Sequence, residues 1–399
     1  MPNHRVIIVG AGLGGLTLAQ GLRLRGFDVA VYERDPHPDA RPQGYRIQLD
    51  EPGLTGLRHC LPERLFQLCL ATAGSPPARI SVRGRQLQPL ADRDATQGHH
   101  PDAPRPRAFN RPTLRQILLS GLDGAVHYGA GLLDYQEQPD GTVTARFTDG
   151  RTARADLLVG ADGVGSAVRA LLLPQARVED AGLRLIYGRI PLHGASAVPS
   201  WVFDSIFTVV TGGPGHPHLG VGPVRFGSPP DTAGAAGQPP VVLSPVEDYL
   251  ACMVGAPADH PALPPYPELR RLDQRALHAL ARTVLGDDWH PDVHRLLELW
   301  QTESLFPLRI STAAPVQPWQ SGPVTLLGDA IHAMSPVLAM GANTAIRDAG
   351  ELAQALSAAP GSTAGMLEAV RGHERRMIDY AFSVVESSRR AGQRRVGQR

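Results

Sequence analysis

Three glycines near the beginning of the sequence have the spacing of a nucleotide-binding turn. Gly10, Gly12 and Gly15 follow the apolar run 6–9, and Glu33 ends the next apolar run. The first glycine permits a tight turn, the second lets a pyrophosphate approach the backbone, and the third lets helix and strand pack closely. The carboxylate of Glu33 is placed to bind an adenosine ribose. The pattern predicts an ADP-containing dinucleotide but does not decide among NAD, NADP and FAD. A βαβ unit that binds nothing is the alternative.

Two glycine–aspartate pairs occur much later in the sequence. Asp162-Gly163 follows an apolar strand, and Gly328-Asp329 ends another strand and precedes a predicted helix over 343–358. An aspartate at a strand end can bind the hydroxyls of a polyol linker, and the N-terminus of a following helix can stabilise negative charge on an aromatic ring system. A simple NAD dehydrogenase needs neither pair. The three clusters together therefore favour FAD.

The composition excludes several kinds of chemistry. Basic and acidic residues nearly balance (39 against 38), so no overall field favours nucleic acid as a partner. The sequence contains no lysine, which excludes a lysine Schiff base and a P-loop lysine. The three cysteines have neither paired nor metal-binding spacing, and the sequence has no long apolar run. The first strand begins by Val6. These observations predict a cytoplasmic protein. We expect no metal site, no membrane partner and no signal peptide.

The elements around these motifs predict an α/β protein with two sheets. Strands followed by helices predict a Rossmann-like FAD-binding domain, made of residues 1–72, 105–178 and 311–388. Strands rich in Val, Ile, Phe and Tyr, separated by glycine and proline, predict a second, mainly antiparallel β-sheet domain for the substrate, made of residues 73–104 and 179–310. Residues 389–399 contain five arginines and no acid, which predicts a disordered tail.

Apolar periodicity and turn residues also predict individual elements of the second domain and of the C-terminal region. The predicted strands are 183–191, 201–210, 219–226 and 248–255. Residues 227–240 are rich in proline and glycine and predict an exposed loop. Helices are predicted near 268–285 and over 363–388.

With these motifs in place, the chain resembles the class A FAD-dependent monooxygenases of the p-hydroxybenzoate hydroxylase type over nearly its whole length. The resemblance rests on Gly10-x-Gly12-x-x-Gly15, on Asp162-Gly163, and on Gly328-Asp329 with His332 and Pro336. Within that family it is closest to the tetracycline-inactivating and antibiotic-pathway monooxygenases, through Asn110-Arg111-x-x-Leu114-Arg115 and Arg41-x-x-Gly44.

The resemblance implies FAD as cofactor and NADPH or NADH as reductant. It implies insertion of one oxygen atom from O2 into an aromatic or polyketide-like small molecule through a flavin C4a-hydroperoxide, in a monomer or homodimer. The implied cofactor-binding residues are Gly10, Gly12, Leu13, Gly14, Gly15, Glu33, Arg34, Arg41, Arg111, Asp162, Gly328, Asp329, Gly341, Ala342 and Asn343. Those implied near the flavin ring or the substrate are Gly44, Arg46, Gln48 and Pro336. No catalytic residue is assigned.

The resemblance also divides these residues along the cofactor. Arg34 and Arg41 would flank the adenosine and pyrophosphate, and Arg111 would reach the ribityl–phosphate part. Asp329 would bind the ribityl chain, and residues 341–343 would present backbone amides to the flavin ring. Asp162 would serve both FAD and NAD(P)H, since the chain has no second nucleotide fold. The loop before these amides departs from the family pattern, because it contains Leu338-Ala-Met-Gly-Ala-Asn343 where the family has Gly-Gln-Gly before the asparagine.

Other interpretations stay open at this point. A flavin-dependent reductase of the geranylgeranyl-reductase type shares the fold, as does a non-oxidising flavoprotein such as a cyclase or a ligand-binding shield. His332 favours a structural hydrogen bond over a catalytic base. Arg46 is interpreted equally as the ligand of an anionic substrate group or as the partner of a surface acid. Three aromatic side chains belong either to a substrate pocket or to the core, namely Phe203, Phe207 and Phe226.

Overall fold

The computed structural model describes residues 4–40, 44–96, 104–193 and 197–399. In chain order its strands are β1 (Arg5–Val9), β2 (Asp28–Tyr32), β3 (Arg46–Leu49), β4 (Arg79–Gly84), β5 (Pro89–Asp94), β6 (Arg107–Asn110), β7 (Val126–His127), β8 (Leu132–Glu137), β9 (Val143–Phe147), β10 (Thr152–Ala155), β11 (Leu157–Gly160), β12 (Val178–Pro191), β13 (Phe207–Thr211), β14 (His218–Val224), β15 (Tyr249–Pro257), β16 (Phe306–Ala313) and β17 (Val324–Leu326).

The helices are α1 (Leu13–Leu24), α2 (Glu51–Cys60), α3 (Glu63–Ala71), α4 (Arg111–Leu119), α5 (Ala167–Leu172), α6 (Pro230–Ala235), α7 (Tyr266–Leu269), α8 (Gln274–Leu285), α9 (Pro291–Glu298), α10 (Asp329–His332), α11 (Gly341–Ala358) and α12 (Thr363–Val396). Short 3₁₀ turns occur at Ser200–Phe203, Thr302–Ser304 and Pro336–Leu338.

A five-stranded parallel sheet carries the glycine turn. Its strand order is β17-β11-β1-β2-β7. The side chains of Val6, Ile7 and Ile8 in β1 are fully buried, because apolar layers cover both faces of the sheet. One layer contains α1, α2 and α11, and the other contains β8, β9 and part of α12. This is the Rossmann-like sheet that the sequence predicts.

A seven-stranded sheet forms the second half of the molecule. Its order is β16-β12-β15-β14-β13-β4-β5, and its strand pairs are antiparallel except β13 with β4. Helices α8 and α9 cover one face through Leu277, Val284 and Leu296. The predicted fold class, α/β with a second, mainly antiparallel sheet, is therefore confirmed. A two-stranded ribbon of β3 and β6 lies beside this sheet and faces its uncovered side.

Several predicted elements differ from the structure. The strand predicted at 201–210 begins as a 3₁₀ turn, and the loop predicted at 227–240 contains α6. The helix predicted near 268–285 is two helices, because Asp273 accepts a hydrogen bond from Ala276 N at 2.8 Å and caps a new helix, α8. The sequence prediction also missed α9, which begins at Pro291.

The prediction of a disordered tail at 389–399 is wrong. Helix α12 continues to Val396, whose side chain is 3% exposed and packs with Ala181, Leu185 and Ile310 near the edge of the second sheet. Beyond the helix, Arg399 N donates a hydrogen bond to Ala181 O at 3.0 Å. The arginine content suggested a solvated segment, but buried Ala391, Gly392 and Val396 give the helix a face that packs on the protein.

The three cysteines are free thiols buried in the core. Cys60 and Cys69 are buried in the layer beside the Rossmann-like sheet, and Cys252 is buried in the second sheet. Burial raises the pKa of all three thiols, to about 12 for Cys60 and for Cys252. None of the helices in the described ranges has both the length and the apolar character needed to span a membrane.

Candidate cofactor and active site

The glycine turn after β1 combines close packing with open space. Gly10 has φ +107°, and a Cβ built on it would lie 2.4 Å from the carbonyl oxygen of Ala161. A Cβ on Gly15 would lie 2.1 Å from Gly10 O, so the helix packs directly on the turn. Apart from its chain neighbours, none of the described residues has an atom within 4 Å of a Cβ built on Gly12. The middle glycine therefore faces free space at the N-terminus of α1, where the amides of the first turn lack backbone acceptors.

The two residues between the second and third glycines pack against the core. Leu13 is 5% exposed and belongs to the core. A Cβ on Gly14 would lie 2.9 Å from the Leu327 side chain and 3.3 Å from Ala345 O, so Gly14 lets α1 approach α11. Both residues are buried and place amides in the first turn of α1.

Glu33 lies at the end of β2, beside the glycine turn. Its side chain is 6% exposed, one carboxylate oxygen accepts a hydrogen bond from Ala11 N at 2.7 Å, and the other accepts one from Asp35 N at 2.9 Å. These backbone donors hold the carboxylate where the sequence predicts an adenosine ribose. Arg34 is exposed next to it, and its guanidinium reaches toward Gly165 in the loop after β11. Arg41 lies outside the described residues.

Arg115 is a further residue at this turn, to which the sequence analysis assigned no role. Its Nε donates to Ala11 O at 3.0 Å, its Nη1 donates to Pro38 O, and its buried Nη2 has no partner in the described chain. The available signal was an arginine on the buried face of α4, between Leu114 and Ile117. A buried guanidinium nitrogen without a hydrogen-bond partner in the described chain, held next to the glycine turn, is suited to a phosphate oxygen.

Asp162 connects the second motif to the first. One carboxylate oxygen accepts hydrogen bonds from Ala167 N at 2.7 Å and Val168 N at 3.3 Å, which caps α5. The other oxygen is buried and has no partner among the residues that the structure describes. A Cβ on Gly10 would lie 2.8 Å from Asp162 Cα, so the two glycine-containing turns are in contact.

Asp329 lies in a recess formed by three distant segments of the chain. Solvent reaches its side chain, but the protein surrounds it on the other sides, and this partial burial raises the pKa of the carboxyl above its ordinary value. The positive charges of His332 and Arg111 oppose that shift. A Cβ on Gly341 would lie 3.9 Å from Asp329 Oδ1. The structure thus brings together the predicted residues of α4, α10 and α11.

A buried ion pair holds the turn that carries Asp329. His332 Nε2 lies 2.6 Å from Asp348 Oδ2, and both side chains are fully buried. The same oxygen accepts a hydrogen bond from Gly328 N at 2.9 Å, and Tyr380 donates to the other. Burial alone lowers the pKa of His332 and raises that of Asp348, but their mutual attraction holds the first above and the second below its ordinary value. His332 is therefore structural in this geometry, and the sequence analysis missed its partners.

Asn343 braces the loop between the 3₁₀ turn at Pro336 and helix α11. Its buried side chain accepts a hydrogen bond from Asp50 N and donates to Gln48 O and Ala339 O, each at 3.0 Å. The first amides of α11 have no backbone acceptor within the helix, as at any helix start. Ala339 has φ +57°, a left-handed conformation that favours glycine, and it stands in the stretch where the family has glycine. Gly44, before β3, also has a positive φ, +89°.

Arg46 and Gln48 project from the same face of β3. Gln48 is 6% exposed beside Asn343. Within the described ranges Arg46 pairs with no acid: its Nη2 donates to Ile206 O at 2.7 Å and its Nε to Pro223 O at 3.4 Å. That alternative of the sequence analysis is therefore wrong. The guanidinium lies 5.6 Å from the centroid of the half-buried Phe207 ring.

Comparison with known proteins identifies the family to which this chain belongs. Residues 302–376 match the family described as FAD binding domain, and residues 8–60 match the NAD(P)-binding Rossmann-like domain. The chain is 32% identical over 410 residues to 3-amino-4-hydroxybenzoate 2-monooxygenase of Streptomyces cremeus, which covers 97% of this chain and 86% of that protein. This chain therefore belongs to the class A FAD-dependent monooxygenases, a family of oxidoreductases.

Other relatives differ in length and in closeness. The dual O-methyltransferase/FAD-dependent monooxygenase elcB of Phaeosphaeria nodorum is 28% identical over 402 residues, which is 90% of this chain but only 40% of that protein. The chain thus spans about two fifths of the length of the dual-function relatives that it matches. A putative FAD-containing monooxygenase from Photorhabdus luminescens has a TM-score of 0.81 and 28% identity over 98% of both chains. Tetracycline destructase Tet(51), at 17% identity and a TM-score of 0.61, shares the fold alone.

The residues of the site fit FAD, the cofactor of this family. Free space faces Gly12, and two buried polar atoms without partners in the described chain, on Arg115 and Asp162, lie around the same turn. The recess at Asp329 and the start of α11 supply an acceptor and backbone donors for the other end of a long ligand.

Proposed function

We propose that this chain is an NAD(P)H-dependent FAD monooxygenase that inserts one oxygen atom into an aromatic or polyketide-like small molecule. The observation that carries the proposal is the recess in which Asp329, Arg111 and the start of α11 converge. The relative from Streptomyces cremeus supports it, because its name records an aromatic substrate. A relation to antibiotic-pathway enzymes is part of the same proposal and rests on the sequence resemblance.

The adenosine end of FAD would lie at the glycine turn. Glu33 would bind the ribose, in exchange for or in addition to its backbone donors. The amides of α1 would bind the pyrophosphate beside Gly12, with Arg115 and Arg34 adding positive charge. Asp162 would accept a hydrogen bond through the oxygen that has no partner in the described chain.

The flavin end would lie at the start of α11. Asp329 would accept hydrogen bonds from the ribityl hydroxyls, and Arg111 would balance its charge. The amides of residues 341–343 would donate to the flavin ring and stabilise negative charge there. Gly44, Gln48 and Pro336 would border the ring, because the side chain of Asn343 ties β3 to this loop.

FAD, when bound, supplies the transfer of two electrons from NAD(P)H and the activation of O2. The chain's own residues hold the cofactor at both ends, orient the substrate and keep water out of the reacting region. The second sheet provides that cover, since its uncovered face is turned toward β3 and the 3₁₀ turn at Pro336.

The test measures both oxygen transfer and FAD binding. We expect the FAD-loaded protein to be reduced by NADH or NADPH and to transfer one atom of ¹⁸O2 to a substrate found by screening aromatic acids and polyketides. We expect Asp329→Ala to weaken FAD binding roughly ten- to a hundred-fold, measured by flavin fluorescence, because hydrogen bonds to a charged group are lost. Asp288→Ala, which removes an exposed acid paired with Arg85, is the control and should bind FAD normally.

Two results would contradict this function. Reduction without any ¹⁸O in a product, under conditions where a substrate is consumed, would identify a flavin-dependent reductase. A flavin that neither nicotinamide reduces, with or without candidate ligands, would favour the non-oxidising alternatives.

A further inference from the structure

A cavity of about 180 Å³ lies between helix α12 and the segment that precedes β17. Residues 318–321 form one wall, and α12 forms the other through Arg371, Glu374, Arg375 and Ile378. The spacing of these four residues puts them on one face of the helix. A cavity of about 150 Å³ can hold benzene, so this one has room for a ligand with a single ring.

This cavity is separate from the proposed cofactor site. Residues 318–321 come before β17, whereas Gly328 and Asp329 come after it. Because β17 is a strand of the parallel sheet, its two ends lie at opposite edges of that sheet. Nucleotides bind such sheets at the carboxyl edge. The cavity lies at the amino edge, so the proposed function does not use it.

Glu374 holds the two walls of the cavity together. Its side chain is 3% exposed, and one carboxylate oxygen accepts hydrogen bonds from Trp319 Nε1 at 3.1 Å and Thr325 Oγ1 at 2.7 Å. Ser321 Oγ donates to the other oxygen. The half-buried Trp319 ring also packs against the core beside the Rossmann-like sheet. The ring is therefore held in one orientation and offers a planar group a fixed surface.

Two arginines and one acid line this cavity, so its charge is positive. Arg371 pairs with Glu368 at 2.7 Å, and both side chains are exposed. Arg375 is exposed as well, and no ion pair joins it to another residue in the described ranges. The carboxylate of Glu374 is already engaged by three donors. The guanidinium of Arg375 is thus available for an anion, and a carboxylate matches its two parallel donors.

We propose that this cavity is a second ligand site, which binds a small planar carboxylate. The carboxylate group would lie on Arg375, and the planar body would lie against Trp319, with Ile378 beside it. The inference goes beyond the proposed function and does not depend on it, because the cavity shares no residue with the cofactor site.

The experiment measures binding to the FAD-loaded protein by tryptophan fluorescence, excited at wavelengths that the ligands do not absorb. Three probes are titrated: benzoate, benzamide and acetate. Benzamide has the ring without the charge, and acetate has the charge without the ring. We expect benzoate to bind about fivefold or more tightly than either of the others.

Variants assign the binding to this cavity. Trp319→Phe should remove the fluorescence change. Arg375→Gln should abolish the preference for benzoate over benzamide, and its exposed position makes the change compatible with folding. Arg394→Gln is the matched control, since it removes an exposed arginine of the same helix that does not line the cavity, and it should keep the preference.

Equal affinity for benzoate and benzamide, or for benzoate and acetate, would overturn the inference. A preference that Arg375→Gln leaves unchanged, or a fluorescence change that persists in Trp319→Phe, would overturn it as well. Flavin absorbance is recorded in the same titrations and reports any benzoate bound at the proposed active site. Arg375→Gln should leave that flavin signal unchanged, and a parallel loss of both signals would contradict a separate site.

Discussion

The buried pair of His332 and Asp348 shows how single residues hold this site in place. Asp348 comes from the middle of α11 and binds both His332 and the amide of Gly328, so it fixes the turn that positions Asp329. His373 is also fully buried nearby, and burial lowers its pKa, so it stays neutral. The charge of Asp348 is thus balanced mainly by His332.

We expect His332→Gln to lower the free energy of unfolding by about 3–5 kcal/mol, because it leaves the carboxylate of Asp348 buried without its cation. The chain offers a matched control in His193→Gln: His193 pairs with Glu247 at 2.5 Å, but both side chains are 70% exposed. That change should cost below about 1 kcal/mol. Urea unfolding followed by far-UV circular dichroism measures both, and similar costs for the two variants would contradict the role of the buried pair.

The same comparison has a defined pH dependence. The raised pKa of His332 adds stability below the ordinary histidine pKa of about 6.5, and this is lost as the pH rises through the raised value. The lowered pKa of Asp348 adds stability above about pH 4, which is lost as the pH falls through the lowered value. The difference between wild type and His332→Gln should therefore be largest between about pH 4 and 6.5.

Among the elements, α12 is the one whose role the sequence least revealed. Its first turns pack beside the Rossmann-like sheet through Met366, its middle through Met377, and its end packs at the second sheet through Val396. Its later turns alternate arginine with small residues, a pattern with weak apolar periodicity. The end of the helix is held because Val396 packs with Ala181 of β12 and Ile310 of β16, which lie far away in the sequence.

We expect Val396→Ala to destabilise the protein by about 2 kcal/mol, because it leaves a void between α12 and the second sheet. Val242→Ala removes the same atoms from a side chain that is 95% exposed and should change stability by less than about 0.5 kcal/mol. Thermal unfolding of the two variants checks the difference. Equal midpoints would mean that residues 389–399 do not pack as described.

Local motifs were predictable from the sequence, and distant partners were not. The glycine turn and Glu33 lie within one βαβ unit, so spacing alone places them. Asp348 lies 16 residues beyond His332, and Arg115 reaches Ala11 across 104 residues, so neither contact has a sequence pattern. The close approach of Arg46 to Gly222 was missed for the same reason, because the two residues lie in different sheets.

At the scale of the whole molecule, the two sheets are joined by a segment that a buried acid holds. The chain runs from β16 to β17 past Trp319 and Thr325, whose side chains donate to Glu374 of α12 at 3.1 and 2.7 Å. Burial raises the pKa of Glu374 above its ordinary value, and the three hydrogen bonds it accepts, including one from Ser321, oppose the shift. The connection between the sheets is thus a packed part of the structure.

If FAD binds across this assembly, we expect it to stabilise both sheets together. At a hundred times its dissociation constant, FAD should add about 2.7 kcal/mol to the free energy of unfolding and raise the midpoint of thermal unfolding. Tryptophan fluorescence reports both halves, because Trp289 and Trp300 lie in the second sheet's core and Trp319 beside the Rossmann-like sheet. Riboflavin, which lacks the ADP half, is the control. A midpoint that FAD leaves unchanged would contradict binding at this site.

The three buried cysteines are natural probes of local unfolding. Because each thiol is buried and its pKa is raised, a maleimide or disulfide reagent in solution can react only when the surrounding structure opens. The labelling rates of Cys60 and Cys69 report the opening of the half that contains the Rossmann-like sheet. The labelling rate of Cys252 reports the opening of the other half. Mass spectrometry of briefly labelled samples would compare these rates without any engineered label, and it would show which half of the molecule opens more readily.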